Sequence, residues 1–175
     1  MAAETLTGVR AKKKFATPGY GYASTPVRLR GYYSIAANVE DGDIFELFEV
    51  PAGFLCTGGQ LMSADIDTGT EALDMDLGWA ANGTSSAATL LLPWGESYTD
   101  SGYTADPDGL GNFGVWTGDA ITDLKPAGSV YYPIILPTSL WFAAPTMIQL
   151  EANAAAGTFT AGRVTVILDG EIHKA

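Results

Sequence analysis

Cysteine and histidine are nearly absent from this 175-residue chain, which has one of each, Cys56 and His173. A lone cysteine excludes an intramolecular disulfide and a thiolate metal cage, and it fits synthesis in a reducing compartment. A lone histidine close to residue 175 removes the Ser-His, Cys-His and multi-histidine metal chemistries unless that one imidazole carries them. Charge is scarce too. Only 17% of residues are Asp, Glu, Lys or Arg, below the roughly 25% of an ordinary domain. With 47% hydrophobic residues and 21 glycines, the deficit implies apolar and weakly polar surface that a partner covers. Long apolar runs are missing as well. The longest low-charge stretch, Gly128 to Met147, is broken by Pro133, Pro137 and Pro145, so no membrane helix is expected. No apolar core with a small-residue cleavage site follows the basic N-terminal residues, and no secretory signal is expected. The Gly-x-x-x-x-Gly-Lys run of a phosphate loop does not occur.

What charge there is divides unevenly. Residues 1 to 30 hold six cations against Glu4 alone, a net of +5, and the other 145 hold three cations and nineteen acids, a net of −16. Residues 1–26 therefore read as a basic arm ahead of an acidic body at 27–175. Arg10, Lys12, Lys13 and Lys14 supply its charge, and Phe15, Tyr20 and Tyr22 supply aromatic anchors that a merely solvating tail has no use for. Such an arm reaches a partner's acidic surface or nucleic acid, or folds back on its own body, and the body should fold without it. The negative body argues against nucleic acid as a partner.

Turn residues and period-2 alternation fill the remainder. Strands are expected at Val27–Ala36, Asp43–Val50, Leu55–Ile66, Leu73–Leu77, Ser129–Leu136, Ser139–Ala143, Met147–Glu151 and Phe159–Leu168, with a short apolar run at Thr89–Leu92. Leu73-Asp74-Met75-Asp76-Leu77 alternates strictly, which sends Leu, Met and Leu inward and both aspartates outward. The Ala-rich pieces Ala80–Ala88 and Ala152–Ala156 lack apolar residues at helical spacing. About ten short strands with almost no helix give an all-β reading: a jelly-roll-like sandwich of two antiparallel sheets with an extended N-terminal arm.

No chemistry emerges from the acids. Asp65, Asp67, Asp74 and Asp76 flank a turn, and Asp100, Asp106 and Asp108 share a loop, but neither set follows the calcium-loop spacing, and the plainer reading is solvent- or partner-facing carboxylates. No metal and no cofactor is expected. No acid pair is singled out for glycoside hydrolysis. Trp94, Tyr98, Tyr103 and Trp116 could stack on a carbohydrate from one loop, although most strand aromatics of a sandwich belong to the core. Cys56, with no basic neighbour, reads as a small buried hydrophobe.

Three segments carry a resemblance. They are Gly42-Asp43-Ile44-Phe45-Glu46-Leu47-Phe48-Glu49-Val50-Pro51-Ala52-Gly53, then Gly59 to Gly69 with its Asp65-Ile66-Asp67-Thr68-Gly69, then Leu73 to Trp79. In this order they resemble a family of small tailed-bacteriophage structural proteins, the head decoration or cement proteins, and Ala161 to Leu168 is similar to that family's last strand. The resemblance implies a non-enzymatic virion protein, made in the host cytoplasm, that binds the outer capsid surface, bridges major capsid protein subunits and self-associates, most naturally as a trimer. Under it, Arg10, Lys12, Lys13, Lys14, Phe15, Tyr20 and Tyr22 are the capsid-binding residues. The alternative is a carbohydrate- or receptor-binding module of a fibre or tail, using Trp94, Tyr98, Tyr103 and Trp116.

Overall fold

Strict alternation predicts strands, and strands are what form. The computed structural model describes residues 5–10, 26–68, 70, 72–93, 95–116 and 130–173. Its strands are β1 (Thr5–Arg10), β2 (Pro26–Ile35), β3 (Ile44–Val50), β4 (Phe54–Ser63), β5 (Asp74–Trp79), β6 (Thr89–Leu91), β7 (Ser97–Thr99), β8 (Asp106–Gly111), β9 (Val130–Ile134), β10 (Leu140–Phe142), β11 (Thr146–Ala154) and β12 (Gly162–Ile172). One 3-10 turn, Ser101–Tyr103, is the helical element among the described residues.

Two five-stranded sheets face each other. Sheet I has the order β1-β3-β11-β5-β8, and sheet II has β10-β4-β12-β2, with β9 continuing β10's line along the same edge of β4. β6 and β7 make a separate hairpin. The all-β, jelly-roll-like sandwich expected from the sequence is the fold observed.

The core follows from side-chain parity. Val164, Val166 and Leu168 of β12 are fully buried, as are Met75 and Leu77 of β5 and Ile148 and Leu150 of β11, each burial worth about 1.5–3 kcal/mol. Edge-to-face aromatic pairs join the sheets: Tyr33 meets Phe45 at 5.3 Å between ring centroids, and Trp79 meets Phe142 at 5.3 Å. Two glycines are fixed by neighbours. Gly53, at φ +81° in the turn after Pro51, accepts a hydrogen bond from the His173 amide at 2.8 Å, where a Cβ would strike the His173 carbonyl. At Gly78 a Cβ would strike the Asp106 and Pro107 backbone, because β8 passes across the outer side of β5.

Three details differ from the sequence reading. Residues 5–10, assigned to the arm, form β1, which runs parallel to β3 at the edge of sheet I, so removing residues 1–26 takes a strand from the sheet. Ala152 and Ala154 extend β11. Asp76, expected to point into solvent, is only 6% exposed, because β8 and Asn153 cover the outer side of β5.

Candidate interaction surface

Each carboxylate that is buried has a structural task. Asp67 Oδ2 accepts from the Ala72 and Leu73 amides at 2.6 and 2.9 Å, and Oδ1 accepts from the Thr158 amide at 2.7 Å, which ties the β4–β5 and β11–β12 connections together. Burial alone would raise this carboxyl, but the amides of Ala72, Thr158, Gly157 and Leu73 outweigh it and hold the group below its ordinary range. Asp100 caps the 3-10 turn: Oδ1 accepts from the Gly102 and Ala143 amides at 3.1 and 3.0 Å, and Oδ2 from Asn82 Nδ2 at 2.9 Å. Asp76 Oδ2 accepts from Asn153 and Asn112 at 2.7 and 3.3 Å. Burial, then the charges of Asp74 and Asp108, push its carboxyl up. Asp106 is raised by burial and by its hydrogen bond to Asp108. Among the described residues no group of three or more His, Cys, Asp or Glu side chains is placed to hold a metal.

The aromatic candidates do not converge. Trp116 is 3% exposed, and its Nε1 donates to the Met75 carbonyl at 2.9 Å, which makes it a core residue rather than a stacking face. Tyr98 is half-buried against the cluster of Leu55, Leu90, Leu92 and Trp141, and its hydroxyl donates to Glu96 at 3.0 Å. Tyr103 is exposed beside the 3-10 turn. Trp94 lies outside the described residues, as do Lys12, Lys13, Lys14, Phe15, Tyr20 and Tyr22. Arg10 ends β1, opposite Phe48. Burial pushes the Cys56 thiol up to about 11, so it stays protonated at neutral pH. A surface depression of about 350 Å³ lies at one end of sheet II, lined by Pro26, Val27, Arg28, Thr57, Asp169 and Gly170. Within it Arg28 forks onto Asp169, with Nε–Oδ1 at 2.6 Å and Nη2–Oδ2 at 3.2 Å.

Charge is sorted between the two outer faces. Tyr33 and Leu29 of β2 point inward, which turns Arg28, Arg30 and Tyr32 out; on β12 the buried Val164 and Val166 likewise turn Arg163 out. Arg163 lies over the Tyr32 ring at 4.7 Å. Register carries the row across the sheet from Tyr32 through Thr165 and Met62 to Tyr131, and the next row runs from Arg30 through Ile167 and Gln60 to Pro133. Ile135, just beyond β9, is 80% exposed. The outer face of sheet I is instead acidic: Glu46 and Glu49 on β3, Glu151 on β11 directly opposite Asp76 on β5, and Asp106 and Asp108 on β8. Sequence reasoning missed the sheet II face, although parity along β2 and β12 marks its outward residues.

No protein-family model matches the chain, and no curated protein sequence matches it. Solved structures do share its fold. A chain of the capsid of Ralstonia phage GP4 superposes with a TM-score of 0.60 at 16% identity, covering 98% of this chain and 99% of that one. A chain of the cyanophage Pam1 capsid asymmetric unit superposes with a TM-score of 0.55 at 16% identity, covering 93% of this chain and 95% of that one. At such identity the likeness is one of fold, and it extends over nearly the whole of each chain.

Proposed function

We propose that this chain is a non-enzymatic structural protein of a tailed-phage virion, one that sits on the outer surface of the head and cements neighbouring major capsid protein subunits. The observation that carries the reading is the end-to-end fold likeness, in both directions, to chains of two phage capsids. The low charge and the segment resemblance support it, and Asp67 and Asp100 spend both of their oxygens on structural hydrogen bonds. The burial of Trp116 weighs against a carbohydrate-stacking loop.

Attachment to several subunits at once makes weak contacts additive, which is how a small protein resists the outward pressure of a packed head. A trimer matches the threefold and quasi-threefold positions of an icosahedral shell. In this reading Arg10 and Lys12 to Lys14 meet acidic shell surface, and Phe15, Tyr20 and Tyr22 fill apolar pockets. The test is co-sedimentation with heads purified from the parent phage lacking this coding sequence. The expected result is saturable binding at hundreds of copies per particle. Reversal of Lys12, Lys13 and Lys14 to Glu weakens it in a salt-sensitive way, since exposed charges are screened over ~8 Å at physiological salt. A protein that stays in the supernatant at all concentrations, or saturates at a few copies per head, overturns the reading.

A further inference from the structure

The outer face of sheet II is composed like the core of a protein interface. Aromatic, Met and Arg residues are enriched in such cores, and Lys is depleted. Here Tyr32, Met62 and Tyr131 lie in one cross-strand row, flanked by Arg30, Arg163 and the exposed Ile135. Arg163 stands over the Tyr32 ring at 4.7 Å, a contact that restricts its guanidinium before any partner arrives. The four strands β2, β12, β4 and β9 lie three spacings apart, roughly 14 Å, and ten residues run about 33 Å, a little over half of the ~800 Å² that one partner contributes to a standard interface.

We infer that this face docks onto an acidic, apolar-bearing protein surface, which under the reading above belongs to a capsid shell subunit. Charge complementarity selects the partner's sign, because Arg30 and Arg163 stand on this side beyond the Arg28–Asp169 fork. A nucleic acid fits less well: Asp169 and Glu171 stand on the same strand face, and the chain carries a net charge of −11. A second copy offering its acidic sheet I fits less well too. Opposite faces of a sandwich used head to tail propagate an open filament instead of a closed assembly.

The closing experiment uses the full chain and the same heads lacking the protein. Arg30→Glu with Arg163→Glu should weaken binding at least tenfold and flatten its salt dependence. Tyr32→Ala with Tyr131→Ala should weaken it several-fold at every salt concentration, since apolar burial is not screened. Glu49→Lys with Glu151→Lys, on the opposite face, should stay within twofold of wild type. Radical footprinting of the unmodified protein, free and on heads, should show Tyr32, Met62 and Tyr131 protected, a readout that stands even if a variant fails to fold. Wild-type binding with folded sheet II variants that bind equally, or with those three residues unprotected, overturns this inference and leaves the proposed function standing. Absence of wild-type binding overturns both. Arginine-dependent binding of a labelled oligonucleotide reassigns the face to nucleic acid, and arginine-dependent self-association in solution reassigns it to a second copy.

Discussion

The two outer faces arise from the same alternation, yet they spend their exposed positions differently. Among the described residues no strand covers the outer face of sheet II, which carries tyrosines and arginines. On sheet I the register shift in the edge strand β8 brings the Asp106 and Pro107 backbone over Gly78, and Asp76 is buried under Asn112 and Asn153, opposite Glu151 and close to Asp74 and Asp108. Like charges opposed across a strand pair cost stability. Sheet I thus holds carboxylates that resist ionisation, and sheet II keeps its charges accessible. The comparison teaches that parity decides which side of a sheet a residue occupies, while what lies over that side decides whether it meets solvent.

The largest expected effect breaks the cover on sheet I. Gly78→Ala drives a Cβ into the Asp106 and Pro107 backbone, and it should cost about 3 kcal/mol by urea unfolding. Met62→Ala, on the open face, should cost less than about 1 kcal/mol in the same titration. Next comes Asp67→Ala, which strips three backbone amides of their acceptor and should cost about 1–3 kcal/mol; equal stability of the variant would show that those amides find other partners.

A smaller effect separates the acids by pH. Asp76 and Asp106 are raised in the folded chain, so the stability they confer is present below the ordinary carboxylate range near ~4 and is lost as pH rises through their raised values. Asp67 is lowered, so its contribution is present above ~4 and is lost as pH falls through its depressed value. Thermal unfolding should therefore show a maximum near the ordinary carboxylate range, about pH 4. Asp76→Asn should stabilise the chain at neutral pH by up to about 1 kcal/mol and lose that advantage near pH 4; a variant less stable at pH 7 would refute the raised carboxyl. Smallest of all is Arg28→Ala. Its fork onto Asp169 is exposed, and the unfolding midpoint should stay within experimental error.

Much of this architecture was legible in the residues. Alternation picked out the inward residues Leu73, just before β5, Met75 and Leu77 of β5, and Val164, Val166 and Leu168 of β12, although Asp76 and Thr165 between them are buried as well. β8 was not legible, because Asp-Pro-Asp-Gly-Leu-Gly has loop composition and its pairing depends on β5, some thirty residues earlier. β1 was hidden for another reason: a parallel partner leaves no hairpin turn to announce it. The candidate residues drawn from sequence were linear clusters, whereas the sheet II surface gathers Tyr32, Met62, Tyr131 and Arg163 from four strands. Only register brings those four together.

The position of β12 has a consequence in time. It comes last among the described strands, yet it lies between β4 and β2 and bonds to both. Sheet II cannot close until residue 172 has left the ribosome. Until then β2 and β4 have no partner on the sides that β12 will fill, and unpaired strand edges invite pairing with other nascent chains. Neighbouring nascent copies would meet that hazard together, and rapid addition of β12 would be what keeps them soluble.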